Sequence, residues 1–505
     1  MPINRRRFVR TALSAAAAGA VAPLTVRPQL AGAAPMAREK LETFSLNPTY
    51  VAHLRKGVAA MKALPAKDHR SWFWQAAVHA VQSSWVAALP PGTAPPAADQ
   101  TKFWNQCPHN PSHGSAEFLI WHRAYLYYFE RTLRVMASDP TLSLPYWNYE
   151  NAAQRKLPEI YRTPTTGNPL YIPERTPSLN SGTGSLSAGA VDDSAAMAST
   201  IFFGTTSANF GGYIAIGTEP SNKGLIEQRP HDTVHGAIGS PGWMGSVPTA
   251  AFDPIFWPHH TEIDHLFTLW ACQGKRTWGP PSSYDAWWDK PVGWFVDANG
   301  TAVNPPRRMF AKNANLDVRY DDETPDCVPL EPPPVSSRTL FSLGDVFARQ
   351  AVRLGTAPGT SLSADRPVSA TVPINAKAMR SKRSPNAFAA TSPEHLVLGV
   401  GVAYSQTPSV AYYVDVSAGN GSPSYRAGVL TFFDHGGMAM DKSVAAEHLF
   451  DISAFARRNG LSAENLQVTF VPFDLVVDAQ GNPGAKRVAE VRVGPIDVRD
   501  VSVPR

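Results

Sequence analysis

A change of period divides this chain. Before Glu331-Pro332-Pro333-Pro334 the apolar and aromatic residues recur at helical spacing, and after it β-branched and aromatic residues alternate. The spacing predicts helices over 71–89, with Ser71 as N-cap and Pro90-Pro91 as the stop, over 118–136, around 229–238 and over 253–272. Residues 151–225 are rich in Pro, Gly, Ser, Thr and Asn without periodicity and read as a long irregular connection. Strands are expected at 396–404, 411–416, 426–433, 466–470 and 487–493, separated by turn residues. The fold expected is a mainly α region with long loops over 34–325, a stiff Pro-rich linker over 326–340 and an all-β, sandwich-like domain over 341–505.

Residues 1–33 stand apart. They carry five arginines, no lysine and no acid, and without them the 46 basic residues fall to 41, matching the 41 acidic ones. The basicity therefore belongs to this segment, and a nucleic-acid footprint is excluded as a starting point. Arg5-Arg6-Arg7-Phe8, the Ala-rich stretch from Ala12 and the small residues Ala31-Gly32-Ala33 read as an export signal of twin-arginine type. The protein is expected to be periplasmic or secreted, with no membrane attachment once the signal is removed. Three cysteines exclude a disulfide scaffold, although Cys272 and Cys327 are able to pair in an oxidising compartment.

Eleven of the 14 histidines lie before residue 266. His231 and His235 are four apart, so on a helix both imidazoles leave one face; alone, that spacing fits a metal site and a solvated helix face equally well. His113 and His122 are nine apart, so His113 must precede the helix that carries His122. His79 is expected mid-helix in apolar surroundings, where an unpartnered imidazole is costly. Near-absence of cysteine and the lack of a His-Glu-x-x-His arrangement disfavour zinc, while imidazole-only sites suit copper. A pair of copper ions matches the two electrons that take dioxygen to peroxide.

The segment His113-Gly-Ser-Ala-Glu-Phe118-Leu-Ile-Trp121-His122-Arg123-Ala-Tyr125 resembles the first-copper signature of tyrosinases and polyphenol oxidases, and Asp253-Pro254-Ile255-Phe256-Trp257-Pro258-His259-His260-Thr-Glu-Ile-Asp264 resembles their second. This resemblance, detailed over about residues 65–275, implies a four-helix bundle holding two copper ions. His79, His113 and His122 would hold copper A; His231, His235 and His260 would hold copper B. The implied activity uses dioxygen to hydroxylate monophenols to o-diphenols and to oxidise o-diphenols to o-quinones. Small phenols and O2 are then the partners, with a homo-oligomer left open. The C-terminal domain resembles the β-domain that shields the site in latent relatives.

The resemblance also implies roles beyond the ligands. Glu227, one helical turn before His231, corresponds to a carboxylate that holds a water near the incoming phenol, and Asp232 stands where relatives active on monophenols often carry Asn. Val247 matches a gate position over copper A, small enough to admit bulky phenols. His259 and Asp264 are expected to support the ligands from outside. Cys107-Pro108-His109 suggests a thioether to a copper A histidine, and residues 432–440 suggest an aromatic or Met plug over the site. The competing readings are a catechol oxidase or o-aminophenol oxidase without hydroxylation, and a dioxygen carrier.

Overall fold

The computed structural model describes residues 36–108, 117–204, 209–213, 223–239, 242–279, 287–324, 330, 351–375, 396–404, 408–419, 422–433, 446–459, 465–484 and 491–501. Residues 1–35, most of the linker, His109, His113, Cys327 and residues 434–445 lie outside them. Residues 36–505 form one compact unit.

The helical region is organised around Phe118–Ala137, which packs against Pro48–Ala63 and Phe256–Cys272. Sixteen of its 20 residues are buried, so protein encloses it nearly all round, as a central helix requires. Charges nevertheless cross this interior. Asp264 accepts from Arg38, Arg123 and Tyr320, and Glu130 accepts from Arg38 and from the Leu144 amide. Arg38 arrives on the short strand Met36–Arg38, which pairs in parallel with Val318–Tyr320. Asp264 was expected to support a metal-binding histidine; instead both its oxygens serve this network, because two buried guanidinium groups surround it.

The C-terminal region is a two-sheet sandwich. One sheet orders Val368–Pro373, Asn465–Asp474, Val410–Ser417 and Tyr425–Leu430; the other orders Ala446–Asp451, Leu396–Tyr404, Val491–Val501 and Ala351–Ala357. Alternating residues of both sheets, among them Leu398, Val400, Val414, Val468 and Val498, close a core between them. The sandwich also touches the helical region directly. Val476–Asp478 pairs antiparallel with Gly184–Leu186, and Ala411, Val429, Phe433, Leu475 and Val476 join the apolar core of the helical region.

Candidate metal centre

Four helical segments bring histidines into one buried cluster. His79 closes the helix Trp72–His79 rather than sitting mid-helix, since Ala80 turns extended. The carbonyls freed at that end, those of Ala77, Val78 and His79, accept from the amides of Asn105, Gln106 and Cys107. This strap carries Cys107 beneath the ring of His122, Sγ to Nε2 3.7 Å, and His79, Cys107 and His122 offer donor atoms within 4.8 Å of one another.

His231 and His235 follow a break. The helical trace from Glu227 is interrupted at Arg229 (φ −159°, ψ 128°) and resumes through Asp232 into Thr233–Ile238. Pro230 explains it, because the residue before a proline is pushed out of the α region. Glu227 is buried at the start of this segment but is separated from His231 by the break, so the regular one-turn relation expected between them does not hold. His235 Nε2 lies 3.1 Å from His260 Nε2, and His231, His235, His259 and His260 all offer nitrogens within 4.8 Å.

The outer nitrogens explain why the inner ones converge. Nδ1–H of His79 donates to the Val247 carbonyl at 3.2 Å, that of His122 to Phe118 at 2.8 Å and that of His235 to Met244 at 2.8 Å. Each bond fixes the tautomer and leaves the Nε2 lone pair facing the cavity. Met244 and Val247 reach these positions because Gly239 and Gly245 press backbone on backbone: a Cβ on Gly239 would lie 1.9 Å from the Gly245 nitrogen. His231 differs, since its Nδ1 donates to the Asp232 carboxylate at 2.9 Å. Burial, followed by neighbouring imidazoles, pushes His231, His235 and His260 well below the ordinary histidine range, and burial brings His259 to about 3. Neutral, buried, convergent imidazoles are the donor set copper requires, and His260 Nδ1 has no hydrogen-bond partner among the described residues. The residues therefore fit the metal.

Of the residues singled out in the sequence, His79, His122, His231, His235 and His260 come together here, and His113 lies outside the described residues. Val247 is buried and contributes its carbonyl to His79. His259, expected behind the ligands, turns a nitrogen into the same cluster, while its Nδ1 meets the Tyr149 hydroxyl at 3.1 Å. Cys272 is disulfide-bonded.

Sequence reasoning pointed to the 432–440 loop without choosing a residue. Phe433 occupies the place: its ring stacks on His235, centroids 3.9 Å apart at 16°, and meets His231 edge-on at 5.4 Å. Neighbouring Thr431 donates to Asp232 Oδ2 at 2.8 Å, which also accepts from Lys223 at 2.6 Å. Neither Thr431 nor Lys223 has a signal in local spacing; both are found only through the fold.

Residues 69–208 and 193–273 match the model of the common central domain of tyrosinase. A tyrosinase from Hahella sp. is 31% identical over 302 residues, 53% of this chain and 59% of that protein. A chloroplastic polyphenol oxidase from Malus domestica is 29% identical over 396 residues, 73% of this chain and 63% of that protein. This chain thus spans less than two thirds of the length of either relative. The structure of latent apple tyrosinase superposes with a TM-score of 0.56 at 23% identity, covering 93% of this chain and 98% of that one, and latent aurone synthase with 0.53 at 19%, covering 94% and 90%. At such identities the superpositions establish the shared fold, a helical domain followed by a β-domain.

Proposed function

Since the chain belongs to the tyrosinase family, a dicopper oxidoreductase family, we propose that it is a tyrosinase that hydroxylates monophenols to o-diphenols and oxidises o-diphenols to o-quinones. His79, His113 and His122 hold copper A in this reading, and His231, His235 and His260 hold copper B. When bound, the two ions supply paired one-electron couples that reduce dioxygen. Each diphenol gives up two electrons and two protons, so two diphenols take one O2 to two waters. The observation that carries the reading is the convergence of buried imidazoles, with the outer nitrogens of His79, His122, His231 and His235 already committed.

The protein's own groups orient and deprotonate. Glu227, buried close in sequence to His231, takes the phenolic proton through a held water. Val247, a small residue at the position that resembles the family's gate, would favour a bulky ring, and its carbonyl keeps His79 in register. Cys107, whose Sγ lies 3.7 Å from His122 Nε2, is expected to form a thioether to His109 or His113 with dioxygen as the two-electron oxidant, removing two hydrogens from the intact mass; an unchanged mass rejects it. Phe433 lies where a phenol would stack on His235, so the closed chain is latent until residues 341–505 are displaced from the catalytic domain, residues 34–325. The leader over 1–33 exports the folded protein by the twin-arginine route. No described helix is long and apolar enough to cross a membrane.

One observation favours a second reading, a catechol oxidase without hydroxylation. Asp232 already serves His231, Lys223 and Thr431, which limits what it offers to a water beside an incoming monophenol. Copper-loaded protein assayed with catechol and with tyramine separates the two. Turnover of both supports the tyrosinase, turnover of catechol alone the second reading, and turnover of neither, in protein freed of its C-terminal region, rejects both.

A further inference from the structure

Four of the candidate copper ligands have an Nδ1 partner among the described residues, and three of these partners are backbone carbonyls of the helical region: Val247 for His79, Phe118 for His122 and Met244 for His235. Such partners move only if the catalytic scaffold moves. The fourth ligand, His231, depends on a side chain, the Asp232 carboxylate, which is buried and shared. Its Oδ1 accepts from His231, and its Oδ2 accepts from Lys223 and from the hydroxyl of Thr431. Thr431 follows the strand Tyr425–Leu430 of the sandwich and is itself buried, two residues before the ring that covers His235. One hydrogen bond therefore runs from the C-terminal region to the partner of a single metal-binding ring.

We propose that Asp232 is a positioning residue through which Thr431 of the docked sandwich sets the orientation of His231, so that docking tightens the hold on one of the two metal ions as well as covering the site. A carboxylate rotates about two bonds, and with Oδ2 held by Thr431 and Lys223 its Oδ1 is fixed opposite His231 Nδ1. Loss of the hydroxyl removes one of the holds on Oδ2 and so loosens that rotation, and the imidazole with it. Groups behind a ligand commonly change metal affinity by about 10- to 100-fold. Coupling is reciprocal, so bound metal also favours docking. The alternative is that the Thr431 hydroxyl merely docks the sandwich and leaves His231 indifferent.

The inference rests on the dicopper reading, and the test separates the two. Full-length protein is loaded with copper, its copper content is measured, and the loss of copper to excess EDTA is followed for the wild type, Thr431→Val, Thr431→Ser, Asp232→Ala and the Asp232→Ala/Thr431→Val double variant. Thr431→Val is expected to release one of its two ions about tenfold faster, Thr431→Ser to restore the wild-type rate, and Thr431→Val to add nothing in the Asp232→Ala background. Equal rates for the wild type and Thr431→Val overturn the inference, as does a Thr431→Val effect that persists undiminished without Asp232. Both outcomes leave the dicopper reading standing. A wild-type chain that binds no copper overturns that reading and the inference together.

Discussion

In the helical region, the interior beside Phe118–Ala137 is crossed by Arg38, Arg123, Glu130 and Asp264, all buried and mutually bonded. In the sandwich, the space between the sheets is filled by Leu398, Val400, Val414, Val468 and Val498. The first interior is directional: each group has several specific partners at fixed positions, which ties together the helices that carry the imidazoles. An aliphatic interior is stable without being so exacting. The contrast indicates what each part must do. Metal ligands must converge to within fractions of an ångström, whereas the sandwich, in the proposed role of a cover, need only be present and removable.

This contrast can be broken most severely at the ligands. His235→Ala should remove one copper and lower catechol turnover by at least ~100-fold, since even groups behind a ligand are worth that much; copper content and initial rate check it. Next, Asp264→Ala takes from buried Arg123 its carboxylate and from Arg38 one of its two, Glu130 remaining, and should cost about 3–5 kcal/mol of stability, read from denaturant unfolding with the sandwich transition unmoved. Third, Phe433→Ala should raise catechol turnover of the uncleaved chain roughly tenfold, because it removes a stacked ring from His235. A rate no higher than wild type would leave the cover without a plug.

The smallest effect sharpens the comparison through pH. Glu150 is pushed well above the ordinary carboxylate range by burial and by Glu262, with which it shares a hydrogen bond, and Glu262 is raised mainly by burial. A carboxyl whose folded pKa is raised contributes stability that is fully present below its unfolded value, 4.5 here, and is lost as pH rises through the folded value. Glu150→Gln should therefore flatten the decline in stability of the helical region above that pH, measured as thermal midpoints across a pH series.

Local periodicity made the long elements legible. Phe118–Ala137 and Leu396–Tyr404 stand where apolar spacing predicted them, because both are long enough for the pattern to exceed its noise. Motif resemblance pointed to His79, His122, His231, His235 and His260, which the fold brings together. Hidden from the sequence were the contacts that span distance. His79 lies at a helix end because residues 105–107 take its carbonyls, and Asp264 was claimed by Arg38 from 226 positions away. Pro230 is a local signal that was available and should have separated Glu227 from His231. Nothing local distinguishes Phe433 from Phe432, yet one ring faces the imidazoles and the other packs against Tyr404 and Tyr412 in the sandwich.

The strand Val476–Asp478 is zipped onto Gly184–Leu186, and Ser187 donates to the carbonyl of Asp474 beside it. Severing the peptide between the two halves consequently liberates chain ends without parting the pieces. A nicked molecule would keep its cap clipped on until something competes for that backbone ladder, so protease exposure and awakening of the enzyme become separate events with separate clocks.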